Sequence, residues 1–129
     1  MGKINLQEPY QLSKIIEIIS KEIKEGGFTD ENYCLYACDE TLKPELICYL
    51  DVYPTISDNE EEVYPDFIIK ESLNLLYYGE QFEDVIMNVL EQKNNPIIDD
   101  YILALNYYSK YDKFKDLYKI ILSNLIESA

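Results

Sequence analysis

From Leu12 onward, apolar side chains return at the spacing of one helical face. Leu12, Ile15, Ile16, Ile19 and Ile23 in "PYQLSKIIEIISKEIKEGG" fall at i, i+3, i+4, i+7 and i+11, a stripe that must be buried against something else in the chain. Gly26 and Gly27 follow directly, and glycine at that place ends a helix because it accepts the left-handed conformation.

Two runs further on supply a surface to cover that stripe. "YCLYAC" and "LICYLDVY" are short and rich in Tyr and aliphatics, with "DETLKPE" between them; they read as a hairpin with a loop of about seven residues. Alternation in the second run sets Leu46, Cys48, Leu50 and Val52 on a core face, and Ile47, Tyr49, Asp51 and Tyr53 on a half-exposed one. After an acidic tract, "YPDFIIKES" starts a short helix with Pro65 in its first turn. "LNLLYYG" reads as a third strand, with a continuous helix from Pro65 to Tyr78 as the alternative. Phe82, Val85, Ile86, Val89 and Leu90 form a second helical stripe, and "NNP" then offers an Asn cap with Pro96 at the first helical position. The next helix runs through Ile97, Tyr101, Ala104, Leu105 and Tyr108 to a break near "SKYD", and a last one carries Phe114, Leu117, Tyr118, Ile121 and Leu125. The expected fold is α+β, a two- to three-stranded antiparallel sheet packed by about five helices, with the helices dominant. At 129 residues and 47% hydrophobic content, one domain over 1–129 is enough to bury roughly two-thirds of the unfolded surface.

The cations and the reactive side chains narrow the function. There are 25 Asp and Glu against 11 Lys, a formal charge of -14, and there is no Arg and no His. Thirteen Tyr and four Phe separate the chain from disordered acidic sequences, which lack the aromatics to build a core. Lack of His removes the commonest general base and the usual partner of a Ser or Cys nucleophile. Lack of Arg removes bidentate phosphate clamps. No phosphate-binding or dinucleotide-binding glycine loop occurs, so neither an enzymatic activity nor a cofactor is expected. Cys34, Cys38 and Cys48 lack metal-ligand spacing and are expected as buried thiols in a reducing compartment. No basic and apolar leader is present, nor a run of about 18 apolar residues, which points to the cytoplasm and away from membranes.

Two weak chemical patterns remain. Pro65 and Asp66 followed by Glu91 and Lys93 match the loose spacing of metal-dependent nucleases, in which carboxylates hold Mg²⁺. The pattern would need Glu91 and Lys93 on a strand, whereas the stripe makes that segment helical. "DNEEE" crowds oxygen ligands together but lacks the glycine and the spacing of a calcium loop. Neither pattern outweighs a solvated surface, and no metal is expected.

The distribution of charge says more than its total. Between Asp30 and Ile69 there are 11 acids against Lys43 alone, whereas residues 109–119 hold four Lys and two Asp. Tyr49, Tyr53 and Tyr64 flank the acids Asp51, Asp58, Glu60, Glu61, Glu62 and Asp66. Tyr provides contact area at low entropic cost, and clustered carboxylates steer a basic protein into contact. Those nine residues are the expected partner-binding set, and Tyr36 is the further ring that alternation could turn outward.

The hairpin region "ICYLDVYPTISDNEEEVYPDF", the block "ILALNYYSKYDKF", the small size and the acidity together resemble the immunity proteins of bacterial polymorphic toxins, including those of contact-dependent growth inhibition systems. The resemblance implies a stoichiometric inhibitor that covers a cognate toxin with a basic surface, often a nuclease, and it implies no catalytic residue. An acidic mimic of nucleic acid, or a regulatory adaptor, is the alternative. Direct binding of nucleic acid is not expected from a chain at -14.

Overall fold

A computed structural model describes residues 4–26 and 32–117. The elements run β1 (Tyr10–Gln11), α1 (Leu12–Lys24), β2 (Cys34–Ala37), β3 (Ile47–Asp51), β4 (Thr55–Ile56), β5 (Glu62–Val63), α2 (Asp66–Lys70), β6 (Asn74–Tyr78), α3 (Gly79–Gln92) and α4 (Ile98–Tyr111). The class is α+β. The main sheet has four antiparallel strands in the order β1-β3-β2-β6, one more than the upper expectation, and β4 and β5 form a separate two-stranded ribbon. Four helices occur among the described residues; the expected fifth lies for the most part outside them.

The expected hairpin is present, with Leu35 opposite Leu50 and Tyr36 opposite Tyr49. "LNLLYYG" resolves as strand, since β6 pairs β2. This makes β2 a central strand, and all four of its residues are buried. Alternation sends Leu35 and Ala37 to one face, where they join Cys48, Leu50 and Tyr77 under the stripes of α1, α3 and α4. Cys34 and Tyr36 go to the opposite face, where Ile68 of α2 and the rings of Tyr53, Tyr64, Phe67 and Tyr78 cover them. The sheet is thus coated by three long helices on its inner face and by a thin aromatic layer on its outer face.

Helix boundaries follow local chemistry. Gly26 takes φ +72 after α1, as a glycine stop should; Gly27 lies outside the described residues. The second stripe forms α3, with Phe82, Val85, Ile86 and Val89 buried. The start of α4 departs from expectation. Asp100 Oδ2 accepts from the Ile97 N–H at 2.9 Å and its other oxygen pairs with Lys93 Nζ at 2.9 Å. Asp100 therefore caps the helix two residues later than an Asn95–Pro96 start would, and Ile97 is left 63% exposed instead of in the core. Asp112, with φ 55, closes α4 at the expected break.

Three side chains on the sheet also depart from their expected setting. Val52, beyond the end of β3, is exposed, and Tyr36 is fully buried. Asp51, expected half-exposed, is only 2% exposed. It accepts from Gln7 Nε2 at 3.1 Å and from the Val52 N–H at 2.8 Å, while the Gln7 N–H donates to the Leu50 carbonyl at 2.8 Å. The N-terminal segment closes over this end of β3, and Asp51 fastens it there.

A core substitution and a boundary substitution separate these assignments. Phe82→Ala, at a position with no exposure, should cost about 3–5 kcal/mol in urea unfolding. Ile97→Ala should stay within about 0.5 kcal/mol, whereas a large loss there would return Ile97 to the core.

Candidate protein-docking face

The outer layer is built from a segment that carries its own charge. Ser57 to Glu61 form the tip of the β4–β5 ribbon: the Ser57 N–H donates to the Glu61 carbonyl, the Glu60 N–H to the Ser57 carbonyl, and the Glu61 N–H to Ser57 Oγ. Glu60 sits at φ 64, a left-handed conformation that side chains with a Cβ avoid at a cost of roughly 1–2 kcal/mol. Asp58, Glu60, Glu61 and Glu62 are all exposed at this end.

Beneath the ribbon the rings lock together. Tyr64 meets Tyr36 edge to face at 6.4 Å, Tyr49 tilts against Phe67 at 5.5 Å, and Tyr53 stacks on Tyr78 at 5.6 Å with 19° between planes. The Tyr36 hydroxyl donates to the Val52 carbonyl at 2.9 Å. Glu62 ties ribbon to sheet: its Oε2 accepts from the Tyr78 hydroxyl at 2.8 Å and its Oε1 from the Tyr64 hydroxyl at 3.5 Å. The bond to Glu62 is the main reason the Tyr78 hydroxyl is pushed up to about 12, burial adding to it. Tyr64 is also raised, by burial first and then by Glu62. Since the folded state holds the Tyr78 proton more tightly than the ordinary value of 10.0, the tie is complete below pH 10.0 and is lost as pH rises through about 12.

Of the nine expected partner-binding residues, the structure gathers eight at the surface. Tyr49, Tyr53 and Tyr64 are half-buried in the ring layer, Asp58, Glu60, Glu61 and Glu62 stand on the ribbon, and Asp66 is exposed in the first turn of α2. Asp51 does not belong with them, because its carboxylate is committed to Gln7 and Val52. Sequence reading missed Phe67, which α2 sets against Tyr49, and Tyr78, whose place in the layer depends on β6 lying beside β2. It also missed the exposed aliphatic residues Val52, Ile56, Val63 and Ile69 in the same region. Among the described residues the one ion pair is Lys93–Asp100, so no acid of the ribbon is matched by a Lys. Two cations of the 109–119 stretch are turned to rings, with Lys115 Nζ 4.4 Å over Tyr107 and Lys110 Nζ 5.3 Å over Tyr111.

The nuclease-like pattern does not assemble. Asp66 begins α2, whose Ile68 packs on the outer face. Glu91 lies in the last turn of α3, which packs on the inner face, and Lys93 pairs with Asp100. Among the described residues no three His, Cys, Asp or Glu side chains converge as metal ligands. Cys34 and Cys48 are buried and burial pushes their thiols up to about 11 and about 12, but Cys38 is exposed, contrary to expectation. It follows the last residue of β2 and belongs to the hairpin loop rather than the sheet.

The model of a domain of unknown function, DUF7716, matches residues 11–117. The chain belongs to this family. The matched span takes in every element from α1 to α4 and therefore the whole ring layer and acidic ribbon, while Gln7 falls outside it. No curated protein and no solved structure matches the chain. No helix among the described residues is long and apolar enough to cross a membrane.

Two substitutions distinguish the tie from the anchor. Glu62→Gln should bring the Tyr78 titration down from about 12 toward 10.0, followed by tyrosinate absorbance with Tyr78→Phe as the assignment control. Asp51→Ala should destabilise by about 1–3 kcal/mol, as loss of a buried acceptor does, without altering that titration.

Proposed function

We propose that this protein is a cytoplasmic inhibitor of the immunity type, which binds a cognate toxin domain of basic surface and blocks it by occupation rather than by chemistry. The observation that carries the reading is the ribbon of carboxylates, which have no cationic partner among the described residues and stand on a fixed layer of tyrosines. Rings already stacked on one another have little entropy left to lose on binding, and exposed aliphatic side chains beside them add apolar contact. The acids supply long-range attraction, which accelerates encounter with a positively charged protein.

The strained backbone at Glu60 supports the same reading. Glycine would sit at φ 64 without penalty, yet the position holds a carboxylate. Strain of that kind is commonly found where a side chain has work other than folding to do. Glu60→Gly should leave the unfolding free energy within about 1 kcal/mol of the parent while weakening association.

The direct test asks whether a reading frame beside this gene encodes a toxin domain of basic surface, and measures association with that domain by stopped flow over a range of salt. Reversal of Glu60, Glu61 and Glu62 to Lys should slow association more than about tenfold at low salt, and the gap should narrow as salt screens the field. Equal association rates at low salt would remove the acidic ribbon from the interface.

A further inference from the structure

The two edges of the main sheet are finished differently. On the β1 side, the strand is two residues long and leads straight into α1, and the Gln7 N–H takes the next carbonyl of β3 beyond it. On the other side, β6 extends over five residues and, among the described residues, pairs with β2 alone. Among the described residues, Asn74 to Tyr78 form no backbone hydrogen bond outside that ladder. Exposed edges are ordinarily guarded by Lys, Pro, a bulge or a covering segment. "NLLYY" contains neither Lys nor Pro; its one irregularity is a bulge that leaves Leu76 without an opposite residue on β2.

Both faces beside this edge carry acid. On the outer face Tyr78 is bonded to Glu62. On the inner face a groove of about 210 Å³ runs beside Leu75, Leu76 and Tyr77, bounded by Glu40, Leu42 and Ser109. Glu71 caps the helix that precedes the strand, and Glu80 lies in the first turn of the helix that follows it. A strand added to β6 would alternate its side chains between the Glu62 face and the Glu40 groove, meeting a carboxylate on each.

We propose that β6 is an acceptor edge for an extended, basic segment of the partner protein, which adds as a fifth strand and places Lys or Arg side chains on both faces. The proposal rests on the basic-partner reading above and specifies how such a partner is held: main-chain bonds give the register, and the flanking acids select for cations. A second copy of this chain is disfavoured as occupant, because joining two such edges would bring together molecules of charge -14 each.

The test uses the full chain and a nine-residue synthetic peptide in which pairs of Lys alternate with pairs of Val, so that both faces of the strand carry Lys, together with the same peptide N-methylated at every second residue to remove its edge donors. Amide exchange by NMR at low salt is the readout. The proposal expects the plain peptide to slow exchange at amides within Asn74–Tyr78 by at least about tenfold, and the N-methylated peptide to do so at none of them. Binding that shifts only Asp58–Glu62 and leaves β6 exchange unchanged would overturn the edge proposal while sparing the acidic docking reading. Absence of binding by either peptide would overturn the edge proposal and count against the docking reading too. A free protein that is already dimeric, with β6 amides protected, would assign the edge to a second copy and overturn the proposal as stated.

Discussion

A strand with no side chain left to water needs a cover on each face, and β2 is such a strand. Three amphipathic helices meet the inner demand with Leu12, Ile15, Phe82, Ile86 and Leu105, all without exposure. The outer demand falls on a stretch in which the only helix is the five-residue α2, too short to present a full stripe. Large flat residues solve this, because few positions are available and each Tyr or Phe buries roughly 150–250 Å². Tyr36, Tyr64, Tyr49 and Phe67 meet ring to ring across the sheet, and the hydroxyls reach carbonyl or carboxylate acceptors at the margin. The tyrosine content of this region is thus first a packing solution. Its half-exposed rings are a surface only because the layer above them is thin.

The acids sit where that thin layer ends. A carboxylate in the ribbon repels its neighbours, and with Debye screening of about 8 Å at physiological salt Asp58, Glu60, Glu61 and Glu62 all feel one another. The structure restrains one of them, Glu62, by neutral phenol donors rather than by a Lys. A neutral donor fixes geometry without cancelling charge. The outward field is therefore kept while the ribbon stays registered on the sheet.

What could be read in advance divides along physical lines. The stripes of α1 and α3 and the β2–β3 hairpin were legible because periodicity is a local property, written in consecutive residues. The ribbon was not, since strands of two residues, Thr55–Ile56 and Glu62–Val63, are too short to alternate. The burial of Asp51 depends on Gln7, 44 residues away in sequence, and no window around Asp51 contains that information. The start of α4 was misplaced because two capping chemistries competed: an Asn before Pro96 and an Asp at position 100. The second prevailed, since Asp100 binds both the Ile97 amide and Lys93. Most of the candidate face was legible as residues, but its arrangement depends on β6 lying beside β2, a long-range pairing.

The cation inventory bears on the same face. All 11 cations are Lys, and a Lys ammonium is strongly hydrated and gains little from an exposed carboxylate. Arginine would behave differently, since its planar fork pairs bidentately with Asp or Glu and stacks on Tyr. An Arg placed near Glu62 would find a carboxylate held in position and rings on which to lie, and would quench the site from within the same chain. On the proposed reading, the absence of Arg keeps those carboxylates and rings available, and the guanidinium groups they would attract come from the partner. Lys110 and Lys115 lie over Tyr111 and Tyr107, each in contact with a ring of its own region. Charge segregation of this kind follows from which cation is used and where its stem can lie, and it leaves the carboxylates of the ribbon and the rings they bond to together on one face.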